Sequence, residues 1–486
     1  MRTLQEDVGG EVAISPDGMR IAFERQGELW QMGPNGENPA RLADAPSGPH
    51  FVGHAGFSNC LALSWSPDGR WLTYLRKVGD TDVLVLEARS PEDGRTTTIL
   101  NDSDLRGYRW LSSTEMVLDR WEAPDRPFSN LWRIDVDPEK MRAHGRPRRL
   151  TNWAGFAIER GKISASRDGK VLAVTKRTDR SDILIGELAD HGDKLGQVRR
   201  ISVEERIEWP GGWSSDSKWL LFQSDRTGSM GTFRQRLDST SPESVVTNRE
   251  DNRAPLLSPD RQSVLYFAWP RSASQVTTAR LMRKPLGGGR PELVLEAKGF
   301  PGSLQTSYRV DIPTMTGHPA FRCPSQPVSS CVLSEAGRNE VVFSSFAPVP
   351  SAAKSDIFRI QAEYPDGVSW DLSPDGSRIA YAEQNWTSAS IHIRELGQRI
   401  TRDIPLPGLA GLSTLAWSAD GKSLFFTTFV VAGSSLFHVT LDGRYRLLYR
   451  GAKEVEAPRA SPDGRYLAFG DVVSASNVWL IEGIPR

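Results

Sequence analysis

The sequence predicts an all-β chain folded as a β-propeller of about ten four-stranded, blade-like repeats. Three observations predict it. The tetrapeptide Ser-Pro-Asp-Gly keeps recurring, apolar runs of strand length stand on either side of it, and no helical periodicity persists for a dozen residues.

The tetrapeptide occupies 15–18, 66–69, 373–376 and 461–464, with degraded copies at 166–169, 215–217, 258–261 and 418–421. Proline presets φ for the second position of a type I turn, and aspartate suits the third. Glycine then takes the left-handed conformation from which a hairpin resumes its twist. Asp17, Gly18, Asp68, Gly69, Asp375, Gly376, Asp463 and Gly464 are therefore read as structural turn residues, and the turn carboxylates are not counted as ligands.

The strands follow in order. A short apolar run precedes each copy, as in Val12-Ala13-Ile14 and Leu63-Ser64-Trp65. A denser run follows, as in Trp71-Leu72-Thr73-Tyr74, Trp219-Leu220-Leu221-Phe222 and Tyr466-Leu467-Ala468-Phe469, apolar on consecutive residues like a strand buried on both faces. A third run comes after a polar turn, as in Leu131-Trp132-Arg133-Ile134 and Val478-Trp479-Leu480-Ile481. A fourth, shorter run sets a basic residue before Leu or Ile: Arg41-Leu42, Arg149-Leu150, Arg200-Ile201. Four strands in forty to fifty residues make a propeller blade.

The turn positions are Asp17, Asp68, Glu115, Asp168, Asp216, Asp260, Glu335, Asp375, Asp420 and Asp463, spaced 40 to 53 apart except for a gap of 75 before Glu335. Propellers hold about four to eight blades, so ten units mean one large ring or two smaller propellers. The last unit ends after its third run, whereas Arg2-Thr3-Leu4 resembles a fourth. The expectation is an array over 1–486 closed by the N-terminal strand, as one ring or a ring with a second inserted, which removes an open edge. The alternative is a first propeller over 1–297 and a second over 298–486.

Lys+Arg and Asp+Glu both number 60, so the neutral chain carries no electrostatic footprint for nucleic acid or an anionic membrane. No apolar stretch reaches the length of a membrane-spanning helix, and residues 1–8 lack the apolar core of a signal peptide. A cytoplasmic monomer without membrane insertion is the expectation. Arg146-Pro147-Arg148-Arg149 reads as a charged outer strand that resists edge pairing. Cys323 and Cys331 flank a Pro-Ser-rich segment; they pair across a hairpin in an oxidising compartment and otherwise stay inert thiols. Cys60 reads as a small buried residue.

Motifs for chemistry are thin. The nucleophile elbow Gly-x-Ser-x-Gly and the phosphate loop are absent, and Gly287-Gly288-Gly289 reads as a hairpin turn. His50 and His54 have zinc-pair spacing, but Pro49, Gly53 and Gly56 oppose the helix it needs. His392 and His438 fall at comparable places in third strands, which blade packing accounts for. Asp102-Ser103-Asp104 lacks the glycine and distal glutamate of a calcium loop. No catalytic, cofactor-binding or metal-ligating residue is assigned.

The stretches 14–23 (Ile-Ser-Pro-Asp-Gly-x-x-Ile-Ala-Phe) and 460–469 (Ala-Ser-Pro-Asp-Gly-Arg-Tyr-Leu-Ala-Phe) resemble the WD40-like (PD40) propeller repeats of TolB. Asn130-Leu131-Trp132, Arg149 to Trp153, Ser224 to Gly228 and Ser476 to Glu482 look like the C-terminal sensor region of some bacterial winged-helix regulators and serine/threonine kinases. The output modules of those families are missing, as is the catalytic domain of prolyl-oligopeptidase-type peptidases, whose propeller repeats are similar. The resemblance implies a non-catalytic binding or sensor scaffold for a protein or small-molecule ligand, needing no cofactor. It leaves two alternatives, an accessory propeller gating a separately encoded enzyme and a channel-sited lyase or hydrolase. It also makes a periplasmic location the alternative to a cytoplasmic one.

Overall fold

The structure is a computed structural model that describes residues 4–5, 8–25, 28–43, 60–78, 83–121, 129–153, 157–201, 206–269, 278–298, 319–325, 330–337, 339–362, 365–383, 385, 387–398, 400–430, 433–451 and 454–483. Among these the strands form eight four-stranded sheets and one five-stranded sheet, and the helical content is two short 3-10 turns, Asp190–Gly192 and Pro365–Gly367. The fold is a multi-blade β-propeller.

The recurrent turn is held by its serine as much as by its proline and glycine. In all eight copies the serine hydroxyl donates to the aspartate carboxylate at 2.5–2.7 Å. The same hydroxyl oxygen accepts the N–H five residues on, where the next strand begins. The carboxylate oxygen also accepts the N–H two residues past itself. The left-handed position follows, with φ of 74° at Gly18, 71° at Gly69, 74° at Gly376 and 72° at Gly464. Ser217 and Arg261 fill it in degraded copies, at 57° and 61°. The copy read as starting at Ser215 starts at Ser214, whose hydroxyl holds Asp216.

Neighbouring blades are stitched at these turns. Arg20 donates to the Gly69 carbonyl at 2.7 Å and lies 4.4 Å over the Trp65 ring, and Arg378 repeats this with Gly421 at 2.7 Å and Trp417 at 4.6 Å. The tryptophan at the end of an innermost strand donates its indole N–H to the preceding blade: Trp65 to Ala13 at 3.1 Å, Trp417 to Asp371 at 3.3 Å and Trp213 to Arg459 at 2.9 Å. A buried indole needs such a partner, so each tryptophan fixes the register of its neighbour.

The chain forms two compact units, 1–178 with 475–486, and 179–474. The first holds sheets that begin at Val8–Ile14, Cys60–Trp65 and Leu105–Ser112, and a further one from Ala157–Ala165. The second has six blades with innermost strands Glu208–Trp213, Asp251–Leu257, Ala320–Arg322, Val368–Leu372, Leu412–Trp417 and Glu454–Ala460. Its ring closes where Trp213 of the first blade bonds the Arg459 carbonyl and stacks on Tyr466 of the sixth, with ring centroids 6.2 Å apart.

One expectation is corrected here. The 75-residue gap before Glu335 arises because Glu335 is not a turn residue; it lies in the second strand, Cys331–Ala336. The turn of that blade is Cys323-Pro324-Ser325, placed by Pro324 against Gly376 as Pro374 lies against Gly421. A boundary at 297/298 would cut the second unit, which continues through it. The N-terminal run expected to close the array, Arg2-Thr3-Leu4, falls outside the described residues except for Leu4. Leu4 sits beside Gly36 in the first sheet, its carbonyl oxygen 3.4 Å from where a Gly36 Cβ would stand. The sixth blade of the second unit is completed by Tyr466–Glu482 and Val171–Ala189, with Lys194–Arg200 outermost. Leu188 donates to the Arg465 carbonyl at 2.8 Å. The run Val478–Ile481 sends Ile481 into the first unit's cluster of Leu111, Val117, Leu131, Ile158, Ile163, Leu172 and Val174.

All eight turn carboxyls are held below the ordinary aspartate value. At Asp17, Asp168 and Asp216 the serine hydroxyl is the largest influence. At Asp68, Asp260, Asp375, Asp420 and Asp463 burial raises the carboxyl, and the serine and backbone donors outweigh it. A carboxyl depressed by folding contributes stability that is present above its unfolded value and lost as the pH falls toward the folded one. The melting temperature is therefore expected to fall as the pH drops below about 4, and Asp463→Asn should flatten that fall relative to wild type in a pH-resolved thermal scan. Gly18→Val tests the left-handed position cleanly, because a Cβ there meets nothing within 4 Å. Backbone strain alone should then cost about 1–2 kcal/mol, read from the denaturant midpoint.

Candidate functional site

The six innermost strands of the 179–474 unit surround a cavity of about 140 Å³ at the turn end of the channel. Every blade contributes: Gly211 to Trp213, Leu256 and Leu257, Arg322, Asp371 and Leu372, Ala416 and Trp417, and Arg459 and Ala460. The rim is made of turn residues, among them Arg261, Ser325, Pro374, Ala419 and Pro462. Gly211 is obligatory to this closeness, since a Cβ there would lie 2.2 Å from the Pro255 carbonyl oxygen of the adjacent blade.

The charges are unequal. Among the described residues Asp371 is the one carboxylate in the lining, against Arg261, Arg322 and Arg459. One Asp371 oxygen accepts Arg322 Nε at 2.8 Å and the other accepts the Trp417 backbone N–H at 2.9 Å. Arg322, 5% exposed, also donates Nη1 to the Phe321 carbonyl at 2.8 Å, and its Nη2 is buried with no hydrogen-bond partner among the described residues. Arg459 donates Nη1 to the Pro458 carbonyl at 2.9 Å, while its Nε is buried and likewise unpartnered. Burial, and then the neighbouring Arg322 cation, push Arg459 down to about 9 against the pull of Asp371, which leaves it charged at neutral pH. Arg261 is taken up by the Ser325 carbonyl.

The other polar groups in the lining are committed to the frame. Ser418 and Ser461 each donate to their turn aspartate, and the Trp213 and Trp417 indoles donate to backbone carbonyls. Beside Arg322, Cys323 and Cys331 form a disulfide with Cα atoms 4.3 Å apart. They continue the antiparallel register in which Arg322 faces Val332, so the disulfide anchors the three-residue strand that carries the arginine.

The remaining residues singled out in the sequence lie elsewhere. Asp17, Gly18, Asp68 and Gly69 belong to turns of the first unit; the turns at Asp375, Gly376, Asp463 and Gly464 belong to the second. His392 bonds Asp403 at 2.7 Å and stacks on Tyr381. His438 bonds Asp193 at 2.7 Å, and burial pushes its imidazole down despite that partner. Asp102 pairs with Arg120 at 2.7 Å. His50, His54 and the Cys60 side chain lie outside the described residues. Among the described residues no cluster of three or more His, Cys, Asp or Glu could hold a metal ion. The sequence reading missed Arg322, Asp371 and Arg459. A signal was present: aligned on the turn, the position two before it reads Gly212, Leu256, Phe321, Asp371, Ala416 and Arg459, so two charges stand where the other blades have small or apolar residues.

No protein-family model matches the chain, and no curated protein does. Solved structures similar to it include TolB from Acinetobacter baumannii, at 12% identity and a TM-score of 0.40, over 83% of this chain and 81% of that one. A Mycobacterium tuberculosis puromycin-hydrolyzing peptidase is 13% identical with a TM-score of 0.32, over 84% and 58%. An oligogalacturonate lyase in complex with manganese is 13% identical with a TM-score of 0.34, over 66% and 97%. The all-β repeats fit a TolB-like propeller, and at these identities and TM-scores the likeness carries no argument about function.

Replacing both Cys323 and Cys331 by serine should destabilise the protein by about 2–3 kcal/mol, the loop entropy of a short crosslink. Chemical denaturation of the variant against oxidised wild type checks it; equal midpoints would mean that the disulfide does not anchor this strand.

Proposed function

We propose that the chain is a non-catalytic binding scaffold that receives a protein or small-molecule ligand at the channel of its 179–474 unit. The observation that carries this reading is the commitment of the cavity's acid–base groups. Both oxygens of Asp371 are occupied by fixed donors, and the lining hydroxyls of Ser418 and Ser461 are engaged in turns. A general base must be free to meet the proton it takes, and both oxygens of Asp371 are held by donors of the frame. Unpartnered arginine donors suit recognition, because a guanidinium holds its charge and presents fixed geometry. The six-blade frame, fixed by indole and guanidinium bonds between blades, supports pre-organisation, which lowers the ordering cost of binding.

Ala419 lies on the rim and is part-exposed, so a large side chain there narrows the entrance without entering the core. Ala419→Trp is expected to keep the wild-type melting temperature and to lose ligands that immobilised wild type retains, identified by mass spectrometry. Equal retention by the two proteins would place binding away from the channel and end this reading.

A further inference from the structure

We propose that Arg322 and Arg459 form a carboxylate-binding site at the centre of the 179–474 channel, which takes a small organic acid or the carboxylate of a peptide. The starting point is an imbalance. Among the described residues three guanidinium groups and one carboxylate line the cavity, and that carboxylate accepts Arg322 Nε and the Trp417 N–H. Buried donors are nearly always partnered, and a buried charge left uncompensated is strongly destabilising. Arg322 Nη2 and Arg459 Nε are buried, border the same cavity and have no partner among the described residues. Neither residue serves the turns, the indole stitching or the sheet ladder through these atoms. They are donors awaiting an acceptor.

The free atoms select the class of acceptor. Arg459 spends Nη1 on the Pro458 carbonyl, which leaves the Nε–Nη2 edge. That edge carries two parallel N–H groups, whose spacing matches the two oxygens of a planar carboxylate. Arg322 spends Nε and Nη1, so it adds one further donor through Nη2. Three donors on two planar cations describe a bidentate carboxylate contact with a supporting third bond. The cavity of about 140 Å³ has room for a carboxylate and a short stem. Leu257, Leu372 and Trp417 offer that stem apolar walls.

The inference deepens the functional reading and rests on the channel being the binding position. Its test is a calorimetric titration and thermal scan of the full chain with sodium acetate and sodium succinate, against sodium chloride and sodium phosphate at matched ionic strength. Wild type should bind the carboxylates and melt at higher temperature in them than in chloride. Arg459→Gln should weaken binding about tenfold or more, the loss of charge-assisted bonds, yet melt no lower than wild type without ligand, because it removes a cation crowded by the Arg322 guanidinium. Arg459→Lys, which keeps the charge but not the edge, should also bind weakly. No carboxylate response in wild type, phosphate binding without carboxylate binding, or full binding by Arg459→Lys would each overturn the proposal. A short peptide compared with its C-terminal amide then distinguishes a chain terminus from a free acid: tighter binding of the acid form than of acetate supports a peptide source, and equal binding supports a free one. The two readings fail separately. If Ala419→Trp abolishes ligand retention while carboxylates do not bind, the channel reading stands and the carboxylate site falls. If Arg459→Gln loses carboxylates while Ala419→Trp retains the captured ligands, the anion site stands and the reading of the channel as their binding position falls.

Discussion

The serine hydroxyl of the recurrent turn is the constraint on which the rest of the structure depends. It donates to the aspartate two residues on and accepts the N–H that opens the next strand, so one side chain fixes both ends of the turn. The innermost strand of each blade ends at this point. Where it ends decides which residue faces the channel and which indole reaches the neighbouring blade. Arg378 shows the coupling: its backbone N–H is held by Ser373, and its guanidinium then meets the Gly421 carbonyl and the face of Trp417 one blade further on. Turn, strand end and blade contact are one cooperative unit, and that suits an array in which each repeat contacts chiefly its neighbours.

Such a frame can carry irregularity wherever another bond replaces the missing part. In the blade of Ala320–Arg322 the turn has lost serine, aspartate and glycine, and the inner strand is three residues long. A disulfide closes it, and Pro324 still packs against Gly376 as its counterparts do. That is also the blade that presents Arg322 to the channel. The covalent link holds, at the position of a buried cation, what a Ser–Asp turn holds elsewhere.

The repeat was legible because its chemistry is local. Proline, aspartate and glycine announce a turn wherever they occur, and the apolar run after Gly464 needs no knowledge of its neighbours to be read as a strand. What escaped the sequence depends on pairing at a distance. Val171–Ala189 and Tyr466–Glu482 are each twice the length of an ordinary strand, but polar stretches around Asp179 and Ser474 hide this. Each looks like two short runs. The outermost strand of the blade of Glu454–Ala460 is Lys194–Arg200, which no run near Tyr466 announces. The gap before Glu335 misled for a related reason: an apolar second strand, Cys331–Ala336, was easier to see than a three-residue first one.

The channel residues were hidden by the repeat itself. A position that recurs in every blade is read by its commonest occupant, and Gly212, Leu256 and Ala416 make the place two before the turn look like packing. Against that background Asp371 and Arg459 are departures, and departures from a repeat are where function can reside without disturbing the fold. Their placement in blades four and six, with Arg322 in blade three, brings to one axis charges separated by 49 and 88 residues in the chain. Ring closure achieves this, since every inner strand faces the same axis however far apart in sequence. The unpaired guanidinium atoms are then a local conflict at the centre of the ring. A frame that satisfies the hydroxyls of its five Ser–Asp turns leaves Arg322 Nη2 and Arg459 Nε open at its centre, and a bound anion is the group whose charge and acceptors would resolve that conflict.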